Sequence, residues 1–158
     1  MNHFTAKIMR SKPLHSPLKN TLLVVLSMVC MLVSQTSMAQ TFRGNHKVSL
    51  QWISWDYFGQ IRSPQQNGDG SWAVSGGQES RSNGDYLRMD GVLSHLGDPN
   101  ALYFQGTIVT RVSHIASGQP CIRQGDFTFR KSPGRKYWRL QEMKNPCDGV
   151  TDYIDIYQ

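Results

Sequence analysis

A chain of 158 residues with a formal net charge of +6 is long enough for one folded domain with its own core. Four of its 17 basic residues and none of its 11 acidic ones precede residue 40, so thirteen cations face eleven anions in the remainder. A surplus that small excludes nucleic acid as a partner on electrostatic grounds, because domains that bind it carry a strong basic excess on one face.

The first 39 residues have the layout of an export signal. Lys7, Arg10, Lys12 and Lys19 form a basic region without acids, Thr21 to Val33 is an apolar core of 13 residues, and Ser37-Met38-Ala39 supplies small residues at a cleavage point. The apolar run is short for a bilayer span, and Val29 before Cys30 disfavours a lipoprotein site. Residues 1–39 are therefore expected to be a signal peptide and residues 40–158 a single all-β domain, secreted or periplasmic, with no transmembrane segment after cleavage. In an oxidising compartment the two remaining cysteines, Cys121 and Cys147, have one intramolecular pairing, and a disulfide is expected.

The segment from Gln40 to Asn45 is polar and reads as a frayed end. Lys47 to Trp55 alternates in polarity and reads as the first strand, with Trp52, Trp55, Tyr57 and Phe58 crowding its end as packing residues. Ser63 to Gly70 carries two turn pairs, Asn67-Gly68 and Asp69-Gly70, and leads to a short strand over Ser71 to Glu79. Beyond the turn at Ser80 to Asp85, one pattern occurs three times: Leu87 to His95, Leu102 to Thr110 and Cys121 to Phe129, each with a glycine in mid-strand.

Residues two apart in a strand share a face, so aligning the copies on Gly91, Gly106 and Gly125 sorts their side chains. One face is mostly apolar, with Leu87, Met89, Leu93, Leu102, Phe104, Ile108, Phe127 and Phe129; the other is mostly polar. Glycine weakens a strand unless the backbone needs to bend, so three on the buried face point to a sharply curved sheet. Ser132-Pro133-Gly134 turns the chain into a strand over Lys136 to Met143, whose inner face the pattern leaves open. After the turn Asn145 to Gly149, Val150 to Tyr157 reads as the last strand. The fold class is thus all-β: a single antiparallel β-barrel or strongly coiled β-sandwich of about 7–8 strands with one disulfide.

Catalytic signatures are poor: no nucleophile elbow, no paired histidines at metal spacing and no phosphate-cradling glycine loop. No cofactor and no metal site is expected, since Asp152 and Asp155 fall on opposite faces of a strand and no calcium-loop spacing is met. More informative is Arg123, which stands on the apolar face where the other copies have Met89 and Phe104. A charge pointing inward needs a partner, for which Asp152 and Glu142 are the candidates, or it holds an anionic ligand with His95 near the mouth. Arg130, Lys131, Arg135, Lys136 and Arg139 form a basic hairpin. The sequence is that of an exported, non-enzymatic binding module taking a small amphipathic or anionic ligand in a barrel interior. The alternative is an interaction or inhibitor module that meets an acidic partner surface through hairpin tips, including residues 130–139.

Overall fold

The structure, a computed structural model, describes residues 42–158. The expected export segment, residues 1–39, lies outside the described residues. Eight strands follow one another: β1 (Gly44–Leu50), β2 (Gly59–Ser63), β3 (Trp72–Glu79), β4 (Tyr86–Ser94), β5 (Ala101–Arg111), β6 (Cys121–Arg130), β7 (Tyr137–Leu140) and β8 (Ile154–Tyr157). Each pairs antiparallel with the next, and β8 returns to β1 through Val48 opposite Ile156 and Leu50 opposite Ile154, which closes the barrel. Full closure leaves no sheet edge exposed to another chain.

The three glycine-centred segments are β4, β5 and β6, and their glycines lie side by side, Gly91 opposite Gly106 and Gly106 opposite Gly125. On one side of this row Leu93, Phe104 and Phe127 are neighbours; on the other, Met89, Ile108 and Arg123. The coil is tight enough that a Cβ on Gly91 would fall 2.8 Å from the Cα of Gly106. The space that Gly91 and Gly106 leave is filled by the Phe104 ring, which is 1% exposed and packs edge-on to Phe129 at 6.5 Å. Burying such a ring stabilises the fold by about 2–3 kcal/mol.

Strand limits differ from the sequence reading at four places, one of them β7, which covers Tyr137–Leu140 where Lys136 to Met143 is expected. The chain turns at Leu50, whose carbonyl accepts the Ile53 N–H at 3.0 Å, so β1 ends early and begins at Gly44, inside the segment read as frayed. A strand is also present where none was expected: β2 has a single large apolar inward residue, Ile61, and is held by pairing on both sides. Finally, β8 is only four residues long because Asn145 N–H to Val150 O and Asp152 N–H to Met143 O, both 2.8 Å, fold residues 143–152 into a compact loop. In β7 the face left open by the pattern is settled: Trp138 and Leu140 are buried inside.

Strand directions put the loops 51–58, 80–85, 112–120 and 141–153 at one end and Phe42, Gln158 and the remaining loops at the other. The first is closed by the Cys121–Cys147 disulfide, with Cα atoms 5.9 Å apart, and by buried Gln78, which accepts the Leu50 N–H at 2.7 Å and donates to Tyr57 O at 2.8 Å. The disulfide spans 26 positions. Its removal by the paired change Cys121→Ala/Cys147→Ala is expected to lower the unfolding free energy by about 3 kcal/mol in a urea titration.

Candidate functional site

Arg123 points inward from β6 and is 6% exposed. Its Nη1 lies 3.8 Å from Asp152 Oδ2, its Nη2 donates to the backbone carbonyl of Glu142, and its guanidinium sits 5.4 Å from the Phe127 ring centre. Of the two expected carboxylate partners, Asp152 supplies its side chain and Glu142 does not; the Glu142 carboxylate instead accepts the Thr128 N–H at 3.0 Å. Asp152 is further held by Trp52 Nε1 at 3.1 Å and Asn145 Nδ2 at 2.9 Å. Asn145 also bonds the Cys147 N–H through its Oδ1, at 2.9 Å, so the ion pair and the disulfide loop form one unit.

Burial pushes the Arg123 guanidinium below its ordinary value, against the opposing pull of the Asp152 charge. Burial likewise raises the Asp152 carboxyl, opposed by its hydrogen bonds and by Arg123. The two groups are costly to bury singly and tolerable together.

His95, paired with Arg123 in the sequence reading, is at the opposite end. It follows β4 where that strand leaves the barrel, with its ring 6.3 Å from both Trp72 and Trp138. Arg123 stands opposite Ile108, near the disulfide end of β6. The two residues therefore belong to different sites.

The basic hairpin is less cationic than its sequence. Arg139 makes two 2.8 Å bonds to the buried carboxylate of Asp155, which raises its own affinity for its proton, and Arg130 pairs with Asp98 at 3.2 Å. Lys131 lies 5.2 Å over Trp138 and Arg135 5.7 Å over Tyr137. Among the described residues, Lys131, Arg135 and Lys136 have no carboxylate within ion-pair distance.

The sequence reading missed a surface assembled from four separate segments. On the outside of the wall formed by β7, β8 and β1, Phe58 meets Tyr157 edge-on at 4.8 Å, and Tyr157 lies 5.5 Å from Tyr137. Arg139 spans Tyr137 at 5.2 Å and Tyr153 at 4.3 Å, and Lys47 covers Phe58 at 5.4 Å. Phe58 is 39% and Tyr153 37% exposed. Alternation in β7 and β8 does place Tyr137 with Arg139, and Tyr153 with Tyr157, on one face each. What it does not carry is which strand closes onto β1.

The class defined by this architecture is a small, closed eight-stranded antiparallel barrel stapled by one disulfide, with an aromatic and cationic strip along one outer wall. The chain belongs to the PM1083 family, whose model matches residues 31–158. It is similar to the uncharacterized protein PM1083 of Pasteurella multocida (strain Pm70), with 44% identity over 114 residues that cover 72% of this chain and 71% of that one. No solved structure matches.

Proposed function

We propose that the protein is an exported, non-enzymatic binding module whose contact surface is the outer strip of Phe58, Tyr137, Tyr153 and Tyr157 with its cations, and whose partner is an acidic protein surface. The observation that carries this reading is the composition of the strip: tyrosine, phenylalanine and arginine, with Phe58 and Tyr153 exposed, Tyr137, Arg139 and Tyr157 half-buried, and all ordered by mutual stacking. These residue types supply most of the binding energy at protein interfaces. Their prior ordering reduces the entropy lost on docking. Lys47, Arg135 and Lys136 provide the charge that steers an acidic surface toward the strip.

The interior supports this placement of the contact on the outside. Gly91 and Gly106 are covered by Phe104, with Leu50, Ile61, Leu87 and Met89 also wholly buried. The disulfide is in keeping with the expected secreted or periplasmic location.

The test is recovery of an envelope protein from the native host on immobilised barrel, with the captured protein then titrated at two salt concentrations. Phe58→Ser/Tyr137→Ser is expected to weaken its affinity at least tenfold, and raising the salt to weaken it further. Ile122→Ser, at an apolar residue that is 67% exposed on another wall, is expected to leave it unchanged. Equal affinity for the wild type and the strip variant would remove the strip as the contact.

A further inference from the structure

We propose that the barrel end holding Phe42 is a second binding site, closed in this structure by the Phe42 side chain, for a small hydroxyaryl carboxylate. Phe42 precedes β1 and is in no strand, yet it is only 2% exposed. Its ring stacks on His46 at 3.7 Å with the planes 9° apart. It also lies 6.3 Å from Trp72 and from Trp138, and His95 stands opposite at 6.3 Å from the same two indoles. Five rings thus meet at the mouth, and two of them, Phe42 and His95, come from chain segments outside the strands.

The frame contains more hydrogen-bonding capacity than Phe42 can use. Trp138 Nε1, Ser63 Oγ, His46 Nε2 and His95 Nδ1 are all buried without a partner, and Trp138 and Ser63 are 3% and 0% exposed. Among the described residues, the remaining buried side-chain atom without a partner is Arg123 Nη1, at the other end. Native proteins leave few such groups, and a concentration of them at one mouth marks a place where polar atoms of a ligand belong.

The chemistry of these atoms selects the ligand. A six-membered aromatic ring takes the place of the Phe42 phenyl on His46 and between the indoles. The indole N–H of Trp138 can only donate, so the ligand must bring an acceptor. His46 Nδ1 lies 3.2 Å from the carbonyl oxygen of Tyr157, which fixes the proton on Nδ1 and leaves Nε2 as an acceptor for a phenolic hydroxyl. Burial lowers the proton affinity of His46 and keeps that ring neutral. Lys131, 5.2 Å from the Trp138 ring, favours a negative charge at the rim.

The experiment is a titration of the isotope-labelled protein with 4-hydroxybenzoate, read on the four indole N–H resonances. The Trp138 signal is expected to shift saturably while those of Trp52 and Trp55 stay still. Phe42→Ala, which removes the competing ring outside any strand, is expected to tighten binding at least tenfold. Trp138→Phe, which keeps a ring and deletes the donor, is expected to weaken it at least tenfold with the rest of the spectrum unchanged. Benzoate, lacking the hydroxyl, and 4-hydroxybenzyl alcohol, lacking the charge, are each expected to bind at least tenfold more weakly. Absence of a saturable Trp138 shift in both wild type and Phe42→Ala overturns the proposal. Equal binding by wild type and Trp138→Phe does the same.

Discussion

Gly106→Ala is expected to destabilise the barrel by about 3 kcal/mol or more, the upper part of the range for forcing atoms into a packed interior. An added Cβ would land on the carbonyl oxygen of Asp90, 2.7 Å from the Cα of Gly91 and 2.8 Å from the Phe104 ring. Two of these obstacles are backbone atoms of the paired strand, so rotation of a side chain cannot relieve them. The strands would have to separate where β4 and β5 approach closely. Gly125 is the informative comparison: a Cβ there meets nothing within 4 Å, but its φ of +143° lies where side chains are strained. Gly125→Ala is expected to cost about 1–2 kcal/mol through conformation alone. Gly68 has neither obstacle, and Gly68→Ala is expected to be neutral or to stabilise by up to about 1 kcal/mol through the unfolded chain. Urea titrations of the three variants separate steric from conformational demand; equal losses at Gly106 and Gly125 would show that curvature does not depend on close backbone approach.

What the sequence conveyed followed from local periodicity. The three glycine copies could be aligned because β4, β5 and β6 are long and regular, and their inner faces, the disulfide and the inward direction of Arg123 follow from that alignment. Information was lost where structure depends on partners distant in sequence. With Ile61 as its only large apolar inward side chain, β2 has no signature of its own and exists because β1 and β3 flank it. Phe42 and His46 belong to a stretch too polar to read as core, and become part of a barrel end only when β1 meets β2 and β8. The outer strip is a consequence of the same closure, which brings Phe58 against Tyr157, far apart in sequence, rather than through any local motif. Arg123 and His95 were joined in one site because both interrupt an apolar face; the register that separates them is invisible to composition.

The buried ion pair is the second place where a single change should have a large effect. Arg123→Met is expected to lower stability by about 3–5 kcal/mol near neutral pH, because it leaves the Asp152 carboxylate buried without its counter-charge. The Arg123 and Asp152 side chains are only 5% and 4% exposed, so water cannot replace the lost partner. Methionine retains the apolar stem against Phe127, which confines the loss mainly to charge. The double change Arg123→Met/Asp152→Asn is expected to recover to within about 1 kcal/mol of wild type, since the amide can keep hydrogen bonds with Trp52 and Asn145 while carrying no charge. The pH dependence gives an independent check. Burial already raises Asp152 above the ordinary aspartate range in the folded state, and loss of the Arg123 charge raises it further. A group raised on folding contributes stability that is full below its unfolded value and disappears as the pH climbs through its folded value. The deficit of Arg123→Met should therefore be full well above the folded-state value of Asp152 and shrink as the pH falls through that raised value, where Asp152 gains its proton, whereas the double variant, which lacks the titrating carboxyl, should show no such step in its own stability. A deficit that is independent of pH would mean that Arg123 stabilises the barrel through its bond to the Glu142 carbonyl and its packing, with the Asp152 charge satisfied by Trp52 and Asn145 alone.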